Sequence, residues 1–482
     1  MRSYRPDLAT ERFPQPTLTP VAEMARANRA KLFDLFEETG GSIVYMRGGS
    51  VQHRYDTDTE APFRQESRFW YLSGVAEPDY HLVLDLASRT FHLFTPRRDT
   101  QYAVWNGRVR SLDEIREAYA PDELHYDDQL GEVIASLAPG RVFLVDADAE
   151  RAWTEHLAAH AAGVFDPASA ECDTLSLNDA LVHCRLHKSE AELERMRYAG
   201  QVNSYAHSEV LKALQPGATE YGMRAVLESH LIRHGLLHPA YSGIYASGTN
   251  SAILHYVENT RRMEAGELFL IDAGFEYMGY SSDTTRTWPV SGRFTDDQRW
   301  IYAVALHAHK QAVDGVAAGA RMEDLHLAAC RTIVEGLRDG GLLRGTTEEL
   351  MDKNVFALFF PHGLGHFLGL DTHDPGGYPK GVDRIERPGI RYLRARRELE
   401  PGMVVTIEPG VYFIPALLAP AFADPALSPH LVRERIEPLL GFGGIRIEDN
   451  LAVTETGHEN LTDVVKEIDD IEAVMRDAAA GR

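Results

Sequence analysis

Four times the chain sets a carboxylate into a segment that otherwise reads as a buried strand, and no other feature narrows the possible folds so far. In "ELFLIDAGFEY" Asp272 interrupts an apolar run, and eleven residues on "SSDTTRTW" supplies Asp283. Gly274 and Gly279 between them predict a hairpin that brings the two acids together. "MVVTIEPGVYF" repeats the pattern with Glu408, and "GGIRIEDNLAV" repeats it with Glu448. Each predicted strand thus offers an inward acid. A buried carboxylate is costly unless donors or a cation compensate it. One such residue is ordinarily an ion pair or a capped strand end, but four in one region repel one another and call for added positive charge.

The stretch "FFPHGLGHFLGLDTHD" places His362, His366 and His373 near these acids in sequence. His362 and His366 have the i, i+4 spacing of a zinc-binding helix. No Glu follows His362, however, and Gly363 and Gly365 disfavour a helix, so the stretch is expected to be a loop or turn. Four carboxylates with one or two imidazoles and no thiolate make an oxygen-rich donor set, suited to Mn²⁺ or a similar first-row ion. Four negative charges formally balance two dications, and paired ions that activate a water imply hydrolysis. Serine and cysteine mechanisms lack support, because no G-x-S-x-G elbow, phosphate-binding loop or recognisable cysteine nucleophile occurs.

At 482 residues the chain exceeds what a single core organises, so two domains are expected. Its formal charge of −23 repels phosphate backbones and anionic membranes, which argues against nucleic-acid and membrane partners. Cys172, Cys184 and Cys330 are scattered and odd in number, which fits a reducing cytoplasm. The opening "MRSYRPDLATERFPQP" lacks an apolar signal core, and no segment approaches the length of a membrane span.

An amphipathic helix, "VAEMARANRAKLFDLFEET", precedes strand-like runs "SIVYM", "RFWYLSG", "HLVLDL" and "TFHLFT", then "RVFLVDA" and the helical "RAWTEHLAAHAAG". Residues 1–183 therefore read as an α/β domain, with a boundary near 184. Residues 184–482 carry longer elements, with helices expected near 188–214, 219–235 and 295–319. The first of these is opened by a Ser189/Glu192 capping box.

The quoted acid and histidine segments, extended to "GIRIEDNLAVTETGHENLT", resemble the metal-binding motifs of the Xaa-Pro peptidases, the family of prolidase and aminopeptidase P. "RYDTDTEAPFRQESRFWYLSGVAEPD" resembles the N-terminal domain of the aminopeptidase P type. The resemblance implies an α+β protein: a C-terminal pita-bread domain with a curved antiparallel sheet, preceded by the α/β domain. It implies two divalent ions, Mn²⁺ with Co²⁺ or Zn²⁺ as alternatives. Asp272 and Asp283 would be ligands, Asp283 bridging; His366 and Glu408 would bind one ion and Glu448 both. The attacking group would be a metal-bridging hydroxide, with Glu408 as general base. His255 in "AILHY", His362 and His373 would contact the substrate carbonyl or protonate the leaving proline nitrogen. Arg446 would orient the ionic network.

The substrates implied are small peptides with proline in second position. "GIRYLRARRELEPGM" resembles a segment that prolidases insert, and Arg394 matches their carboxylate-binding arginine, which points to a dipeptidase. The alternative is an aminopeptidase acting on longer peptides, which "RFWYLSG" and the text around Asp272 resemble more closely. A remoter one is a non-catalytic peptide-binding member of the fold. Family members form dimers or tetramers, and Asp58 and Trp105 match positions that reach a neighbour's active site.

Overall fold

The computed structural model describes residues 13–36, 41–160 and 164–481. The chain divides into two compact units, Leu18–Arg185 and a second that joins Met1–Thr17 to Leu186–Arg482. Residues 13–17, which the sequence reading assigns to the N-terminal domain, therefore group with the C-terminal unit. The reason is local bonding: Gln15 donates to the His234 carbonyl at 3.0 Å and accepts from the Tyr277 hydroxyl at 2.8 Å, while Phe13 meets Tyr205 edge-on.

The first unit is built on six strands: β1 Ser42–Arg47, β2 His81–Asp85, β3 Thr90–Thr95, β4 Glu123–Tyr126, β5 Arg141–Phe143 and β6 Glu171–Asp173. They lie in the order β4-β3-β2-β1-β5-β6, antiparallel from β1 to β3 and parallel elsewhere. Ile43, Tyr45, Val83, Phe94 and Val142 project into one core with Trp153 and Leu157. "RFWYLSG", expected as strand, is instead the helix Ser67–Ser73. The Glu66 carboxylate accepts from Phe69 N–H at its start, and left-handed Gly74 ends it. Ser67 and every residue from Phe69 to Ser73 are buried, so the run carries no alternation that could distinguish helix from strand.

The second unit repeats one layout. A helix pair, Glu190–Ala213 and Glu220–Arg233, precedes β7 His238–Pro239, β8 Ile244–Ser247, β9 Leu268–Asp272, β10 Phe275–Tyr277, β11 Tyr280–Ser281 and β12 Thr285–Pro289. A second pair, Asp296–Asp314 and Met322–Asp339, precedes β13 Val404–Ile407, β14 Gly410–Tyr412, β15 Gly444–Arg446, β16 Asp449–Val453 and β17 His458–Asn460. All pairings here are antiparallel: β8-β9-β12, β7-β10-β11, β13-β16-β17 and β14-β15. The Glu192 carboxylate accepts from the Ser189 N–H at 2.8 Å, which secures the start of the first helix.

The two halves are sewn together where β12 meets the β15–β16 joint. Glu448 N–H donates to the Thr285 carbonyl at 3.0 Å. Wholly buried Arg286 donates to the carbonyls of Thr285 (3.0 Å), Glu448 (2.6 Å) and Val464 (2.9 Å) and pairs with Asp449 at 2.7 Å. Among the described residues no helix is long and apolar enough to cross a membrane.

Candidate metal centre and active site

The acids sit at the joints of the strands rather than within them. Asp272 is the last residue of β9, Asp283 lies between β11 and β12, Glu408 between β13 and β14, and Glu448 between β15 and β16. A joint frees the side chain from the fixed alternation of a ladder. At Glu408 the break is enforced by Pro409, which has no N–H to give, and the Glu408 N–H turns to the Leu364 carbonyl at 2.7 Å. β10 and β11 form the expected hairpin, and the pairing of β9 with β12 sets Asp272 opposite Thr285.

The histidine stretch runs across β13 as a loop. Phe367 bridges Val405, and Thr406 N–H donates to the His366 carbonyl at 2.9 Å. A β-carbon on Gly365 would lie 1.9 Å from the Thr406 carbonyl oxygen, so glycine is needed there for close backbone approach.

Asp283, His366 and Glu448 bring ligand atoms within 4.8 Å of one another, and all three are buried. His366 Nε2 lies 3.4 Å from Asp283 and 3.7 Å from Glu408. Its Nδ1 lies 3.0 Å from the Phe367 carbonyl, which leaves Nε2 facing the acids. Asp272 accepts from Arg446 Nη2 at 2.6 Å and from the Tyr241 hydroxyl at 2.7 Å. Glu448 accepts from the Thr285 hydroxyl at 2.6 Å.

These donors do not neutralise the cluster. Burial and then the charges of Asp283, Glu408 and Asp272 hold the Glu448 carboxyl well above the usual carboxylate range. Burial raises Glu408 to about 7 against the pull of His366 and Arg446. Burial also raises Asp272 despite Arg446, whereas at Asp283 burial is overcome by the hydrogen bond and charge of His366 together with the Tyr241 hydroxyl, which keep the carboxyl low. Clustered, buried, oxygen-rich donors left short of positive charge fit divalent cations, which would allow all four to ionise together.

The histidines separate by bonding. His362 is engaged at both nitrogens, Nδ1 with the Gly363 carbonyl and Nε2 with the Tyr412 hydroxyl, each at 2.8 Å. Arg446 Nη1 donates to that same hydroxyl at 2.8 Å, so the tyrosine proton is directed to His362 Nε2 and the Nδ1 proton to Gly363. Burial, then the Arg446 charge, pushes His362 down to about 3, consistent with a neutral ring. His373 packs edge-on to His366 with ring centroids 4.5 Å apart and stays exposed. His255 is exposed, and its charge bears on both His362 and His373. Neither His255 nor His373 makes a side-chain hydrogen bond among the described residues. Tyr241, Tyr412 and Thr285 are additions that sequence reasoning missed. Each is a single hydroxyl in an unremarkable segment, with only the polar run around Thr285 as a cue.

The description "Metallopeptidase family M24" matches residues 194–455, and "Aminopeptidase P, N-terminal domain" matches residues 25–143. This chain belongs to metallopeptidase family M24. The M24 chain is 40% identical over 444 residues to the Xaa-Pro dipeptidase of Homo sapiens, which covers 90% of this chain and 89% of the relative. It superposes on the aminopeptidase PepP of Pseudomonas aeruginosa with a TM-score of 0.82 at 33% identity, covering 96% of this chain and 99% of the other. A zinc-substituted aminopeptidase P of E. coli, solved in complex with product, gives a TM-score of 0.81 at 33% identity, with the same coverage of both chains. The C-terminal unit of this metallopeptidase has the pita-bread fold expected from its motifs.

Arg394 of the M24 unit is exposed, and its charge bears on His373. Two of its neighbours are committed elsewhere: Arg391 pairs with Glu386 at 3.2 Å and Arg396 with Glu323 at 3.0 Å. The Arg394 guanidinium has no hydrogen-bond or ion-pair partner among the described residues. Asp58 and Trp105 belong to the Leu18–Arg185 unit and are not members of the acid cluster. Asp58 is exposed, and Trp105, on the helix Thr100–Asn106, is 79% exposed, so it is not a core aromatic.

Proposed function

We propose that this metallopeptidase hydrolyses the Xaa-Pro bond of dipeptides. Asp272, Asp283, His366, Glu408 and Glu448 hold two divalent ions, Mn²⁺ in the first instance and Co²⁺ or Zn²⁺ as alternatives. When bound, such ions supply Lewis acidity and lower the pKa of water. Glu408 takes a proton from the attacking water and passes it on. His255 and His373, with uncommitted ring nitrogens, face the substrate carbonyl and the leaving proline nitrogen. His362 acts by fixing Tyr412 and through it Arg446, and reaches the substrate only by giving up one of its own bonds.

The observation that carries the dipeptidase reading is the uncommitted Arg394 guanidinium, whose charge reaches His373, since a guanidinium matches a terminal carboxylate bidentately. Turnover of Ala-Pro against Ala-Pro-Ala tests it: efficient cleavage of the tripeptide favours the aminopeptidase reading, which the solved relatives named aminopeptidase support. Metal-free protein that still releases proline would refute the two-metal mechanism, whereas metal-loaded protein that releases none would leave a non-catalytic use of the fold.

The protein works as a homodimer or homotetramer in which Asp58 and the exposed Trp105 reach a neighbour's site. An active monomer in sedimentation would exclude that arrangement. The free thiols of Cys172, Cys184 and Cys330 support a cytoplasmic location.

A further inference from the structure

His373 stands on a compact turn, Gly369–Asp374, that touches three other parts of the M24 unit. Ser281 N–H donates to the Gly369 carbonyl at 2.8 Å, which ties the turn to the hairpin leading into Asp283. The Thr372 hydroxyl donates to the Ala240 carbonyl at 3.0 Å, next to Tyr241. The turn is closed from within, since Asp374 N–H donates to the Phe367 carbonyl at 2.9 Å and the Asp374 carboxylate accepts from Asp371 N–H at 3.2 Å.

Beneath the turn, Lys188 Nζ pairs with Asp374 at 3.0 Å, and both side chains are only 1% exposed. The lysine is anchored by its own backbone, whose N–H donates to the Gly402 carbonyl at 2.8 Å. Space for the pair depends on Gly369, where a β-carbon would lie 2.6 Å from the Asp374 carboxylate and 3.0 Å from Lys188 Cε. A fully buried ion pair is a poor way to gain stability, because desolvation offsets most of the attraction. Its distinctive property is a fixed geometry.

We propose that Lys188 is a positioning residue for catalysis: through Asp374 it sets the turn that presents His373 to the substrate. Lys188 itself touches none of the acids or histidines of the centre in any hydrogen bond or ion pair among the described residues, and His366 is held by Thr406 as well as by the Phe367 carbonyl it shares with Asp374 N–H. The inference rests on the Xaa-Pro hydrolase reading.

The test is a double-mutant cycle on the metal-loaded full chain with Ala-Pro as substrate, using K188M, H373A and K188M/H373A. Wild-type turnover is measured first; its absence would refute the hydrolase reading and with it this proposal. With an active wild type, K188M is expected to lower kcat about 10- to 100-fold with a smaller change in KM, on the scale seen when a residue that supports an active-site group is removed. K188M should still bind two ions per chain, and H373A should cost little further in the K188M background. Losses that multiply, or loss of metal in K188M, would overturn the proposal. If K188M does not fold, K188M/D374L, which removes both buried charges, carries the same cycle with and without H373A, and multiplying losses there would overturn it equally.

Discussion

The Tyr241 hydroxyl lies 2.7 Å from a carboxylate oxygen of Asp272 and 2.5 Å from one of Asp283, and it has one proton to give. It therefore couples two acids that are otherwise held by different partners, Arg446 for Asp272 and His366 for Asp283. Burial and both carboxylate charges hold the phenol well above its ordinary pKa, so it remains a donor at neutral pH. Y241F is expected to weaken binding of Mn²⁺ about 10- to 100-fold. Titration calorimetry would check this, and unchanged affinity would show that Tyr241 does not set the carboxylates.

Asp283 is the acid that meets both Tyr241 and His366, and it is the one kept ionised. D283A is expected to reduce metal content to one ion per chain or fewer and to lower turnover of Ala-Pro by about a thousandfold or more, the scale of losing a principal source of transition-state stabilisation. Elemental analysis beside the assay reads both effects, and full activity would exclude Asp283 from the centre.

For Arg394 the expected effect is on substrate binding. R394A should raise KM for Ala-Pro about 10- to 100-fold, and R394K should recover only part of that because an ammonium lacks the bidentate fork. Equal KM values for wild type and R394A would place the carboxylate contact elsewhere.

Acid sensitivity should arise in part outside the centre. His326 is completely enclosed, and burial pushes it down to about 4. The unfolded chain takes up a proton near pH 6.5, so between about 4 and 6.5 it binds more protons than the folded one and stability falls as pH falls. From pH 7 to 5.5 this single group should cost about 1 kcal/mol. Urea unfolding of wild type and H326N at both pH values isolates it: the variant should lack that part of the decline, and parallel declines would refute the assignment.

Much of the candidate site could be read in the sequence because its chemistry conflicts with its surroundings. Asp272, Glu408 and Glu448 are conspicuous as acids among β-prone apolar residues, and His366 as one of three imidazoles beside glycines. That the acids occupy strand joints was not legible, because a break of one or two residues does not alter an apolar run. Tyr241 and Tyr412 escaped for a different reason. A tyrosine near a strand is ordinary, and only tertiary contact separates a hydroxyl aimed at a carboxylate from one packed in a core. The helix Ser67–Ser73 escaped because burial on all sides erases periodicity, although Glu66 and Gly74 carry cap signals at its ends.

The seam between the two halves has a kinetic consequence. Asp272 and Asp283 come from the first half, and His366, Glu408 and Glu448 from the second, while Arg286 and Thr285 clasp the two beside Glu448. If the ions leave fully only when that clasp opens, their release is gated by the fold and not by access of a chelator. The rate of metal extraction should then become independent of chelator concentration and measure how often the halves part, so the centre doubles as a clock for the breathing of its own fold.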